Sequence, residues 1–131
     1  MTLTPIQHFF ESSPQSKPLF DDLVIALLSA FEESSFKVQK SQIALVSKKP
    51  YAAVWLPIRE IKDRPKVYLI LSFGLDIEIS HERIVEVNEP YPNRYMHHVL
   101  ISSKDDIDET LLNWLRFAID FSNRKRVNTH E

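Results

Sequence analysis

KVYLILSFG, residues 66–74, is the stretch whose reading decides the fold. It is rich in β-branched and aromatic residues, which fit a pleated, buried surface. We read Lys66–Phe73 as a central strand that Gly74 ends. Upstream, residues 57–65 are polar and irregular. Before them, Tyr51–Leu56 reads as a strand and hairpin partner of the apolar run Ile43–Val46, which Lys48-Lys49-Pro50 terminates, and Phe36–Gln39 alternates as a further strand. Downstream, Arg83–Asn88 and Arg94–Ser102 form two more strands, joined by a Glu89–Asn93 loop of hairpin length.

Helical patterns flank this run of strands. From Pro18 to about Glu33, Phe20, Leu23, Val24, Leu27, Leu28 and Phe31 recur at helical spacing, and Asp21 and Asp22 are placed in the first turn, opposite the helix dipole. A C-terminal helix is announced by Asp106 as cap, with Glu109 completing a capping box. Its apolar face comprises Ile107, Leu111, Leu112, Trp114, Leu115, Ala118 and Ile119, and Arg124, Lys125 and Arg126 close it. Thr4-Pro5 marks a short N-terminal helix or turn, with Phe9 and Phe10 as anchors onto the core. The expectation is one α+β domain over residues 1–131: an antiparallel sheet of five to six strands with the N- and C-terminal helices on one face. Residues 1–15 are read as an N-terminal extension and 127–131 as a frayed tail. The second sheet face is left open to solvent or to a partner.

Composition removes several function classes. The chain has no cysteine, which excludes thiol catalysis, disulfides and thiolate zinc sites. Gly74 is the only glycine. Phosphate-binding loops of the Walker and dinucleotide types need several glycines for close backbone approach, so neither is present. A net charge of −2 and a pI near 6.2 argue against a dedicated nucleic-acid binder. Residues 1–12 lack the charged and apolar regions of a signal peptide, and no apolar run is long enough to span a bilayer. The expected location is cytoplasmic, with no membrane partner and no cofactor.

The adjacent pair His97-His98 is the chief chemical feature. Neighbouring strand residues point to opposite faces, so the two rings cannot chelate one metal. His97 aligns with Tyr95, Val99 and Ile101 and is read as a buried, hydrogen-bonded core residue. His98 aligns with Arg94, Met96 and Leu100 on the more open face and is the candidate catalytic residue. No metal site is expected; the residues that come nearest to a two-histidine, one-carboxylate set are His81, Glu82 and His98. A serine nucleophile lacks the glycine-flanked elbow that would present it. A second constellation is aromatic and basic: Tyr51, Ala53 and Trp55 share a strand face, with Arg59 and Arg64 just beyond and Arg94 and His98 assigned to the same sheet face. Arginine beside an indole suits a planar or anionic ligand, or an interface hot spot.

Taken together, Arg94-Tyr95-Met96-His97-His98-Val99 with Arg83-Ile84 upstream, Phe9-Phe10, Val38–Ile43, Trp55, Ser72-Phe73-Gly74 and Leu112–Leu115 resemble the pattern of the bacterial family called domain of unknown function 5655. The resemblance spans roughly Phe9 to Phe121 and implies one domain but no reaction. Some of its relatives are attached to nuclease-like domains, which implies a nucleic-acid context for those architectures.

Three functional readings follow. The leading one is a non-enzymatic binding or accessory domain, with Trp55, Arg59, Arg94 and His98 holding a small planar or anionic ligand or a protein partner, homodimerisation through that face included. The second is a histidine-dependent hydrolase or metal-dependent enzyme centred on His98. The third is a nucleic-acid-associated accessory domain, which the charge disfavours.

Overall fold

The computed structural model describes residues 4–57 and 61–124. Among them the strands are β1 (Ser35–Val38), β2 (Ile43–Val46), β3 (Pro50–Trp55), β4 (Leu69–Leu75), β5 (Ile84–Tyr91) and β6 (Arg94–Ile101). They form one six-stranded sheet in the order β1-β2-β3-β4-β6-β5, antiparallel throughout. The helices are α1 (Pro5–Phe9), α2 (Lys17–Ala30) and α3 (Glu109–Asn123). The architecture is α+β, as a run of strands flanked by helical patterns predicts. Among the described residues no helix is long and apolar enough to cross a membrane.

Register explains why one sheet face is core. Phe36, Leu45, Ala52, Phe73, His97 and Val87 lie opposite one another in a single row across all six strands. Next to it run Val38, Ile43, Val54, Leu71, Val99 and Ile84. Onto these rows pack Phe20, Leu23 and Leu27 of α2 and Leu111, Trp114, Leu115 and Ala118 of α3, all buried. Phe10 at the end of α1 is also buried and stacks near Phe20, so the N-terminal segment contributes to the core. Thr4 caps α1 through a full capping box with Gln7.

Several sequence expectations need correction. Gly74 does not end β4: it pairs with Met96, and Leu75 beyond it still pairs with Tyr95. The strand also starts at Leu69, three residues after Lys66. The β5–β6 connection is two residues rather than five, because Tyr91 pairs with Arg94. Pro92 supplies a fixed φ and Asn93 takes a left-handed φ of 66°, a combination that closes a tight turn. The Glu89 carboxylate accepts the Asn93 N–H at 3.0 Å and seals it.

At α3 the cap is Asp108, whose Oδ1 accepts the Leu111 N–H at 3.0 Å. Asp106 is consumed one turn earlier, where it completes a capping box with Ser103 and accepts the Ser102 N–H at 2.8 Å. Ser-x-x-Asp is itself a box, so the sequence held two overlapping start signals. Because α2 begins at Lys17, Asp21 and Asp22 miss its first turn; Asp21 instead pairs with Lys17 at 2.9 Å. Leu28, expected in the core, is 43% exposed. At the far end of α3, Arg124 pairs with Asp76 at 3.0 Å, while Lys125 and Arg126 lie outside the described residues, as do 127–131.

Candidate functional site on the open sheet face

The face away from the helices carries its own cross-strand row: Lys37, Ala44, Ala53, Ser72, His98 and Glu86. Small residues in the middle of this row leave a concavity. A hollow of about 430 Å³ results, lined among others by Gln39, Gln42, Ala44, Ala53, Trp55, Ser72, Arg94, Met96 and His98. Its β1–β2 wall is held by Gln42 Nε2 donating to Gln39 Oε1 at 2.8 Å.

A hydrogen-bonded relay crosses the floor from β3 to β5. Trp55 Nε1 donates to Ser72 Oγ at 2.8 Å, Ser72 Oγ meets His98 Nδ1 at 2.6 Å, and His98 Nε2 meets Asn88 Oδ1 at 2.7 Å. The direction follows from the groups themselves. An indole N–H only donates, and the Asn88 amide oxygen only accepts. His98 therefore carries its hydrogen on Nε2, and Ser72 gives its own to Nδ1. Burial holds His98 below the ordinary histidine range, with the Glu86 carboxylate working the other way. A neutral ring is the form this relay requires. The Trp55 and His98 rings stand edge to face with centroids 6.1 Å apart.

Arg94 occupies the other end of the hollow, and Gly74 explains its position. A Cβ on Gly74 would lie 3.2 Å from Arg94 Cζ and Nη2, and 3.1 Å from Met96 Sδ. The sole glycine of the chain thus lets a guanidinium lie against the sheet, a close-approach role. The Tyr91 and Phe121 rings flank the guanidinium at 5.7 and 5.8 Å. Among the described residues no carboxylate lies within 4 Å of it; the arginine ion pairs there are Arg83–Asp108 and Arg124–Asp76.

The chain also matches the family described as Domain of unknown function (DUF5655) over residues 6–122 of its 131. It belongs to that family. No curated protein and no solved structure matches it. The DUF5655 description names no activity, so chemistry has to be read from the site.

Of the residues singled out from sequence, Trp55, Arg94 and His98 of this DUF5655 domain line the same hollow. Arg59 lies outside the described residues. Arg64 is elsewhere, on a larger hollow of about 710 Å³ against Ser12 and Ser13, with Lys62 and Lys66. That hollow contains none of the relay. His81 and Glu82 do not join His98. The His81 ring stands 5.0 Å from Trp114, a residue of the helix-covered face, and His81 Nδ1 accepts the Arg83 N–H at 3.1 Å. Among the described residues no group of three potential metal ligands occurs.

His97 is fully buried, stacked on Phe73 with centroids 5.2 Å apart, and its Nε2 accepts the Ile79 N–H at 2.9 Å. Burial lowers its pKa, opposed by the Tyr95 and Phe73 carbonyls and the Glu78 charge, while its Nδ1 makes no well-formed hydrogen bond. The split of the histidine pair between the two faces follows the strand period, as expected from sequence.

Sequence reasoning missed Ser72 and Asn88 as members of the site and misread the role of Gly74. A faint signal existed: apart from the Tyr68 phenol, Ser72 is the one polar side chain within the apolar run 67–73. Asn88 carried none, because it reaches His98 diagonally; its direct partner is Met96. Chemically, the relay leaves both His98 nitrogens engaged. The strand pairing of Ser72 commits its backbone to the ladder, so its own N–H is not free to serve an oxyanion. The arrangement fixes the Trp55 and His98 rings in place across three strands.

Proposed function

We propose that the chain is a non-enzymatic binding domain whose open-face hollow holds a small planar or anionic ligand. The observation that carries this reading is Arg94. Arg94 is a half-buried residue whose guanidinium is set against the sheet over Gly74, close to two aromatic rings and unpaired among the described residues. A partly desolvated guanidinium gains most from a bidentate anion. Trp55 and His98, held rigid by the relay, supply a preformed wall, which reduces the ordering cost of binding.

The test is a ¹H–¹⁵N titration of the full chain with small planar acids. Expected are shift changes at Gly74, Met96, His98 and the Trp55 indole, abolished by Arg94→Ala. Saturating ligand that leaves these signals still, or an Arg94→Ala protein that binds as tightly, overturns the proposal.

The hydrolase reading draws on one observation, the Ser72–His98–Asn88 contacts of 2.6 and 2.7 Å. Covalent labelling of Ser72 by a fluorophosphonate, lost in His98→Gln, would favour it over the binding reading.

A further inference from the structure

We infer that the ligand of this hollow is a small aromatic acid carrying a hydrogen-bond donor, such as a hydroxyl or amino group, remote from its acid group. This rests on the binding reading above. The two ends of the hollow ask for opposite chemistry. Arg94 has donors only, so it takes the acid. At the other end the relay has used the Trp55 N–H, the Ser72 O–H and both His98 nitrogens. A serine hydroxyl has one hydrogen and two lone pairs, and one of those lone pairs already accepts from Trp55. What Ser72 retains is a single acceptor position. The relay can receive a hydrogen bond from a ligand there, and Ser72 and His98 have none to give.

The space between the two ends fixes the body of the ligand. Ser72 and Gly74 are two residues apart on one face of β4, about 7 Å between their Cα atoms, and the Arg94 guanidinium lies over Gly74. That spacing leaves room for a body no longer than one six-membered ring, lying over the floor. That floor is apolar: the Met96 side chain against Gly74 and the methyl of Ala53. A thioether makes favourable contact with an aromatic ring, whereas a polyol over the same floor would lose water without gaining partners. A lone phosphate would satisfy Arg94 and leave Met96 and Ser72 untouched. The volume of about 430 Å³ is at the small end of ligand sites and suits one ring.

The experiment is calorimetric titration of the full chain with 4-hydroxybenzoate, benzoate, 4-methoxybenzoate, the methyl ester of 4-hydroxybenzoate and inorganic phosphate. The expected result is 4-hydroxybenzoate binding at least about tenfold tighter than benzoate or the methyl ether, and about tenfold or more tighter than the ester. Ser72→Ala should erase the preference for the hydroxyl, read as the ratio of 4-hydroxybenzoate to benzoate affinity within that variant. The methyl ether removes the donor from the ligand side, so the comparison holds even if that variant folds poorly. Phosphate or benzoate binding as tightly as 4-hydroxybenzoate overturns the ligand class and leaves the anion site standing. If none of the acids binds and Gly74, Met96 and Trp55 signals stay fixed, both readings fall.

Discussion

Replacing Ser72 by Ala tests whether the relay holds the open face together. Ser72 is 4% exposed, and its Oγ bonds both Trp55 and His98. Each hydrogen bond is worth about 1 kcal/mol net, so two account for roughly 2 kcal/mol. Deleting the hydroxyl also leaves the Trp55 N–H and His98 Nδ1 without partners. Both residues are half-buried on an open face, where water recovers part of that penalty. The expected loss is about 2–3 kcal/mol, and Tm should fall by roughly 7–10 °C for a domain of this size. Urea unfolding followed by far-ultraviolet circular dichroism measures it without relying on the indole. A double-mutant cycle with Trp55→Phe isolates one bond, with an expected coupling of about 1 kcal/mol. A Ser72→Ala cost below about 0.5 kcal/mol, or zero coupling to Trp55, refutes the relay as a stabilising element.

Stability should depend on pH through the two histidines. Burial lowers both His97 and His98 below 6.5, so the folded chain binds fewer protons than the unfolded chain just beneath that value. The stabilisation is complete above the unfolded pKa and is lost as pH falls through it toward the folded values, with a slope below about 1.4 kcal/mol per pH unit for each histidine. A urea midpoint that stays flat from about pH 7.5 to 5.5 contradicts this. Gly74→Ala should change stability by less than about 1 kcal/mol, because the backbone gain of a strand alanine offsets crowding against flexible side-chain ends. The same variant should displace Arg94 and weaken benzoate binding at least about tenfold, read by calorimetry; unchanged affinity would detach Gly74 from the site. Asp108→Ala should cost about 1 kcal/mol as a lost helix cap, and Asp106→Ala should leave the α3 cap signals in amide exchange intact.

Much of the fold was legible locally because period and composition are local properties. The β-branched and aromatic content of the run 67–73 reads as a buried strand, and the 3.6-residue spacing of Phe20, Leu23 and Leu27 reads as a helix with one apolar face. The strand period by itself likewise separates His97 from His98. Boundaries were less legible where two signals overlapped, as with the Ser103–Asp106 and Asp108 caps, or where a lone glycine served packing rather than termination.

Sequence alone therefore determined the α+β class, the antiparallel pattern and the placing of His97 and His98 on opposite faces. Only the tertiary structure decided what His98 touches. β6 lies beside β4 and β5 lies outside it, and that strand order sets Ser72 and Asn88 on either side of one imidazole. Ser72 and His98 are 26 residues apart, and the hydrogen bond between them is fixed by register. Side-chain alternation says which way a residue points; pairing across strands says what it meets.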